Sequence, residues 1–293
     1  MPECNLRGGS PFSHGFIMKT ILIPTEDHDA MPAVLEAARL IARAFDGYME
    51  GFAVRPSART YVNVEPLSSV AISDAYEGDL APQARGQFES FMQAHGVPQG
   101  VAEPAVFSYG WPQAEAVDDT FIGSYGRTFD LIVLGRPGRA PQNPRMSPLE
   151  AALFDSGRPV LIVPPSAPQT LARNVLVAWN GSTEQAHTNE FAIPLLRLAD
   201  RVTVLTVEGG TTQGPSGEEA ARHLRRNGIK ATALMVKSGA RTSGEVILDH
   251  AKSFGCDLLV KSAYTQSRLR QMIFGGATRH ILANATLPVL MAQ

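Results

Sequence analysis

A pair of glycines, Gly275 and Gly276, stands before the last predicted helix of the chain, which Ala277 and Thr278 open. Glycine lets a backbone approach a phosphate closely, and the free amides and positive dipole of a helix start favour an anion. Flanking basic side chains could add positive charge: Arg268, Arg270 and Arg279. The pattern therefore predicts a phosphate-binding turn, although a plain glycine turn beside a solvated basic loop has the same sequence.

Polar residues also follow the apolar runs in each half of the chain. If these runs are parallel strands, their carboxyl ends form the edge at which doubly wound sheets bind ligands. In the second half the further candidate binding residues are Asn180, Gly181, Ser182, Val207, Ser262 and Thr265. In the first half the weaker candidates are Thr25, Glu26, Gly135 and Gly138.

Signals for catalysis are few. The sequence has no serine-hydrolase elbow, no zinc-protease helix motif and no P-loop, and its seven histidines are scattered. The two cysteines, Cys4 and Cys256, lack the spacing of a zinc site. We predict no catalytic residue and no metal ligand. A small-molecule transferase that uses the second-half cleft remains the enzymatic alternative.

The elements that must position these residues occur twice along the chain. The apolar run from Lys19 to Glu26 returns 154 residues later at Arg173, and Asp130 has its counterpart at Asp257. The first copy holds about 27 additional residues, in the region of 55–79. We predict two tandem domains, 18–167 and 168–293, after a loose extension over residues 1–17.

Within each copy, short apolar runs alternate with segments of helical period, which predicts an α/β fold with doubly wound parallel sheets. The strands are predicted at 20–24, 48–54, 105–109, 130–135 and 160–163, and at 174–179, 201–207, 230–237, 257–261 and 288–291. The helices are predicted at 30–45, 84–95, 112–124 and 147–156, and at 186–198, 218–227, 244–254 and 276–283. Ser216 and Glu219 have the spacing of a capping box.

The strand ends and the glycine pair resemble the motifs of the universal stress protein family. In that family the first strand ends in Asp, and the fourth precedes Gly-x-x-Gly, nine residues, and Gly with Gly or Ser. Here Gly275 and Gly276 occupy the closing positions, nine residues after Thr265. Ser262 and Thr265 replace the earlier glycines, and Asn180 replaces the acidic residue. The resemblance covers about residues 18–292, as a tandem form of the family.

The first copy departs from the family pattern in another way. Glu26 keeps the acidic position, and Gly135 and Gly138 keep the Gly-x-x-Gly. The following loop, residues 140–148, is rich in proline and has no glycine pair. Because the phosphate-side glycines are missing there, we expect the second half to be the better binding site.

The resemblance implies a Rossmann-like fold of the adenine nucleotide alpha hydrolase type. It implies binding of ATP or ADP, with or without Mg²⁺, in a stress response, with at most slow hydrolysis. It also implies edge-to-edge pairing of the last strands, 160–163 and 288–291, as an internal pseudo-dimer, and it allows a homodimer. The alternative is an interaction or dimerisation module whose binding motifs are relics.

The charge and the apolar content of the chain limit which partners and which cellular location we expect. The formal net charge of −2 argues against a nucleic-acid-coating protein, and no apolar run reaches the 18 residues of a membrane span. We therefore expect no nucleic-acid and no membrane partner, and the two cysteines, too few for a disulfide framework, favour a reducing, cytoplasmic setting. The charge is divided unequally, at −7 for residues 1–167 and +5 for residues 168–293. A positive second half suits an anionic ligand, and mutual attraction of the two halves is the equal alternative.

Overall fold

A computed structural model describes residues 18–56, 69–100, 102–263 and 275–293, with the backbone alone described for residues 69–79. The predicted extension over residues 1–17 lies outside these ranges, as do Thr265, Arg268 and Arg270. No helix within the described ranges has the length and hydropathy needed to cross a bilayer.

The described chain alternates strands and helices as the sequence predicts. The strands are β1 (Thr20–Thr25), β2 (Tyr48–Ala53), β3 (Ser108–Gly110), β4 (Leu131–Gly135), β5 (Val160–Val163), β6 (Asn174–Ala178), β7 (Arg201–Glu208), β8 (Ala231–Lys237), β9 (Leu258–Val260) and β10 (Val289–Met291). The helices are α1 (Met31–Phe45), α2 (Ser69–Ala94), α3 (Asp119–Tyr125), α4 (Met146–Asp155), α5 (Thr183–Leu198), α6 (Gly217–Arg226), α7 (Ser243–Ser253) and α8 (Gly276–Asn284).

The ten strands form one sheet, in the order β3-β2-β1-β4-β5-β10-β9-β6-β7-β8. Neighbours within each half are parallel. The halves meet at the antiparallel pair β5 and β10, where Val289 lies opposite Ile162 and Leu290 opposite Leu161. The predicted pairing of the last strands is therefore present, and the α/β prediction with a largely parallel sheet is confirmed.

Each face of the sheet is covered by its own apolar core, because successive residues of a strand point to opposite faces. Ile21 and Ile23 of β1 join the core under α1, α2, α5 and α6. Leu22 joins the core under α3, α4, α7 and α8. Apart from the edge strand β8, which is mostly exposed, the strands of both halves are thus buried on both faces, as their continuous Val, Ile and Leu runs predict.

Four predicted boundaries are wrong by three residues or more, one of them the start of α5, which lies at Thr183 rather than at residue 186. Helix α3 begins at Asp119 rather than at residue 112, because Asp118 caps it by accepting from the amide of Thr120 at 3.0 Å. Strand β3 is shifted to 108–110. Helix α2 begins at Ser69 rather than at residue 84, and Pro82 lies inside it. Proline lacks an amide and interrupts a helical pattern, so the sequence gives no signal for the turns before it.

The capping box at the start of α6 is confirmed. The hydroxyl of Ser216 accepts from the amide of Glu219 at 3.3 Å, and the Glu219 carboxylate accepts from the amide of Ser216 at 2.8 Å. Helix α7 begins with the same device, formed by Thr242 and Glu245. These caps fix the two helices that flank the second-half end of the sheet.

Candidate functional site

A cleft of about 270 Å³ opens in the second half at the carboxyl ends of β6, β7 and β9. Leu205, Val207 and Ile247 give it an apolar wall. The first turn of α8 and Lys261 form a polar wall. The cleft therefore offers an apolar surface beside hydrogen-bond donors, a combination common in small-molecule sites.

The cleft brings together most of the second-half residues singled out in the sequence. Those that line it are Asn180, Val207, Gly275, Gly276, Ala277 and Thr278. Gly181, Ser182 and Ser262 are not on its walls. Their direct contact with a ligand stays a prediction.

The three residues behind the walls have structural roles. Gly181 has φ +83°, and a Cβ there would lie 3.1 Å from the carbonyl oxygen of Thr212. The hydroxyl of Ser182 caps α5 by accepting from the amide of Gln185 at 3.2 Å. The side chain of Gln185 then accepts from the amide of Ser262 at 2.8 Å. These bonds tie the start of α5 to the turn after β9, so the residues hold the cleft's framework.

The first turn of α8 lines the cleft, and its amides have no hydrogen-bond partner among the residues that the structure describes. Gly275 is its N-cap, and no side chain caps the helix. A Cβ on Gly276 would meet nothing within 4 Å, whereas one on Gly244 would lie 2.8 Å from the carbonyl oxygen of Ala277. Gly244 thus lets α7 pack closely against this turn and fixes it. The amides of this turn can then donate hydrogen bonds to an anion without rearrangement.

Two residues after β6 shape the opposite end of the cleft. The side-chain oxygen of Asn180 accepts from the amide of Ser182 at 3.1 Å, and its carbonyl oxygen accepts from the amide of Thr212 at 2.8 Å. Trp179 is nearly buried, and its indole N–H donates to the carbonyl oxygen of Pro215 at 2.8 Å. Both side chains are therefore held in place before any ligand arrives.

Lys261 follows the last residue of β9 and lines the cleft with only 5% of its surface exposed. Its ammonium donates to the carbonyl oxygen of Ser262 at 3.1 Å. Within the described ranges no carboxylate forms an ion pair with it. Burial lowers the pKa of Lys261 to about 8, so the group still carries charge at neutral pH.

The corresponding place in the first half is filled by the protein itself. Arg145 is the N-cap of α4, as Gly275 is of α8. Its guanidinium donates to Glu26 at 2.6 Å (Nε to Oε1) and to both oxygens of Asp119, at 2.8 Å and 3.0 Å. Burial raises the pKa of Glu26 to about 7 against the opposing charge of Arg145. The crevice lined by Thr25 and Glu26 measures only about 20 Å³.

The glycines of the first half serve loop packing. A Cβ on Gly135 would lie 2.5 Å from Cγ of Pro144, and one on Gly138 would clash with Asn143. The amide of Gly138 donates to the carbonyl oxygen of Pro144 at 3.2 Å. The loop therefore packs over the carboxyl end of β4 and occupies the space that a bound phosphate would need.

Comparison with known proteins shows which family the second half of the chain matches. Residues 172–293 match the family model described as "Universal stress protein family". The second half of the chain is a universal stress protein domain. Universal stress protein Slr1230 of Synechocystis is 27% identical over 169 residues, which cover 55% of this chain and 57% of the relative. The chain thus aligns with little more than half the length of that relative, and the resemblance drawn from the motifs is confirmed.

Solved structures extend the fold similarity over both halves. A universal stress protein from Archaeoglobus fulgidus has a TM-score of 0.70 at 14% identity, over 95% of this chain and 97% of that one. A functionally unknown protein from Pseudomonas aeruginosa has a TM-score of 0.56 at 15% identity, over 94% and 92%. At these identities the similarity shows the fold alone.

Two residues that shape the sites were missed in the sequence. Lys261, in the universal stress protein domain, could have been found, because it is a charged residue at the end of an otherwise apolar predicted strand. Arg145 had no comparable signal, because a single arginine in a proline-rich loop matches no motif. Lys261 carries its charge into a buried position and Arg145 into a half-buried one, whereas periodicity alone assigns charged residues to solvent.

Proposed function

We propose that the cleft of the universal stress protein domain binds an adenine nucleotide, ATP or ADP, and that the protein acts in a cytoplasmic stress response. The observation that carries the proposal is that the cleft has an apolar part and a polar part. Apolar side chains of Leu205, Val207 and Ile247 line one part, and Lys261 with the first turn of α8, which has no side-chain cap, lines another. A nucleoside fits the former surface, and its phosphates fit the latter.

The residues that line the cleft also affect whether it could catalyse hydrolysis. Among the described lining residues there is no Asp, Glu, His or Cys that could act as a general base. Phosphate groups would therefore be held without an activated water. We expect binding with at most slow hydrolysis. Magnesium, if it accompanies the nucleotide, would be held through the phosphates and water rather than by these side chains.

Replacing Gly276 with valine should weaken ATP and ADP binding at least tenfold. The substituted side chain would project from the first turn of α8 into the open space where the phosphates are expected. Since a Cβ at Gly276 meets nothing within 4 Å, the fold should not change. The measurement is calorimetric titration with ATP and ADP in the presence of magnesium, where tenfold corresponds to about 1.4 kcal/mol.

Gly86→Val is the matched control. Gly86 is also helical and exposed, its Cβ would also meet nothing within 4 Å, and it lies in the first half on α2. This variant should bind nucleotide as the wild type does. Equal affinity of Gly276→Val and wild type would remove the α8 turn from the site.

The alternative of an interaction module has its own expected result. A wild-type protein that binds no nucleotide at millimolar ATP with magnesium would favour it. Mass spectrometry of small molecules released on denaturation of the purified protein provides an independent test. Release of an adenine nucleotide in a near-stoichiometric amount would contradict the module.

A further inference from the structure

Lys261 is placed where the fold otherwise puts an apolar residue. Leu22 of β1 pairs with Ile132, and its repeat counterpart Leu176 pairs with Leu259. Two positions further on, the equivalent residues are Leu134 and Lys261. Leu134 is 3% exposed and belongs to the apolar core under α3, α4, α7 and α8. The two halves therefore differ at one buried position by a full positive charge.

The lysine is costly for the unliganded fold. An ammonium removed from water loses much of its favourable solvation free energy unless a counter-charge or hydrogen bonds replace it. Its one described acceptor is the carbonyl oxygen of Ser262, at 3.1 Å, and a lysine has three N–H donors. None of the other described lining residues is acidic. Among the described residues, two of its donors are therefore left without an acceptor, and a group that enters the cleft could supply one.

The neighbours of Lys261 suit an anion. The amides of Gly276, Ala277 and Thr278 begin α8 without a side-chain cap, and the same three residues line the cleft with Lys261. A helix start and an ammonium both favour negative charge. Each observation alone is weak, but the buried lysine and the uncapped helix face one space.

We propose that Lys261 binds a phosphate group of the ligand and makes this cleft select nucleotides over nucleosides. The inference rests on the proposed function, which it deepens by naming the residue that recognises the charged part of the ligand. It also gives a physical reason why Ser262 can stand where the family has a glycine. The ammonium supplies attraction that closer backbone approach would otherwise provide.

The test is a series of ligands on Lys261→Met, a variant of similar volume without the charge. Adenosine, AMP, ADP and ATP are titrated calorimetrically. We expect the affinity for ADP and ATP to fall at least tenfold while the affinity for adenosine changes less than twofold. The unliganded variant should melt at a higher temperature than the wild type, because a buried charge has been removed. Lys237→Met, at an exposed lysine of β8, controls for the change in net charge.

The other possible outcomes separate a failure of this inference from a failure of the proposed function. If ADP and ATP bind Lys261→Met as tightly as the wild type, or if adenosine loses affinity equally, the inference is overturned while nucleotide binding stands. If the wild type binds no nucleotide, the proposed function fails, and thermal melting with pyrophosphate then decides the inference. Pyrophosphate that stabilises the wild type and Lys237→Met but not Lys261→Met supports a phosphate-binding lysine. Equal effects on all three proteins contradict it.

Discussion

Arg145→Met should lower the free energy of unfolding by about 3–5 kcal/mol at pH 8. The guanidinium is the partner of two carboxylates, Glu26 and Asp119, whose side chains are 9% and 7% exposed. Methionine would leave both of them buried without a counter-charge. Urea unfolding followed by circular dichroism measures the loss.

Arg173→Met is the matched control for that variant. Arg173 forms an ion pair with Asp200 at 2.9 Å, but both side chains are about 60% exposed. An exposed pair contributes roughly 0–1 kcal/mol, so this variant should unfold close to the wild type. If both variants lose the same small amount, the carboxylates near Arg145 are reached by water. A double replacement, Glu26→Gln with Asp119→Asn in the Arg145→Met background, should recover part of the lost stability.

The pH dependence of this cluster follows from Glu26. Burial raises its pKa from 4.5 to about 7, despite the opposing effect of Arg145. A carboxyl group whose pKa is raised on folding binds more protons in the folded state. Its contribution is therefore complete below pH 4.5 and is lost as the pH rises through 7. Removing Arg145 raises that pKa further, so Arg145→Met should go on losing stability above pH 7, where the wild type levels off.

This cluster is a further reason to expect a poorer ligand site in the first half. Arg145 stands at the start of α4 where Gly275 stands at the start of α8, and its side chain occupies the space near Glu26. The acidic residue that the resemblance assigns to an adenosine contact is bonded to the protein's own cation. The sequence ranked the second half above the first for lack of a glycine pair, and the guanidinium is a second, independent reason.

The fold could be predicted because its signals are repeated. Asp130 accepts from the amides of Lys19 and Thr20 at 2.8 Å and 2.9 Å. Asp257 makes the same kind of bonds in the second half, accepting from the amides of Arg173 and Asn174. Because this aspartate joins two strands in both copies, the same residue type occurs at both positions. The repeat can therefore be recognised in the sequence.

The candidate site could be predicted only in part. Glycines before a helix are visible in a sequence, and Gly275 and Gly276 do line the cleft. Ser182 and Ser262 are near the right strand ends, but side chains there can face the cleft or the framework, and the register of one residue decides which. The role of Gln185, which joins these two residues, depends on a contact between positions 77 residues apart and has no local signal.

Val289→Lys should be strongly destabilising, with a loss of at least about 3 kcal/mol and partial misfolding. Val289 is 1% exposed in β10, which lies between β5 and β9 at the junction of the two halves. A lysine there has no route to water along the strand, because both neighbouring strands are paired and the face is covered by an apolar core. Urea unfolding and size-exclusion chromatography report the loss.

Met235→Lys introduces the same side chain into a different place in the same sheet. Met235 is 60% exposed on β8, which forms an edge and pairs with β7. Lysine is a residue that natural edge strands carry, so this variant should keep its stability within about 0.5 kcal/mol. Val289→Thr, which has nearly the same shape and only a hydroxyl to bury, keeps the test informative if the lysine variant does not fold. A Val289→Lys protein as stable as Met235→Lys would mean that β10 is open to solvent, and the junction of the two halves would then lie elsewhere.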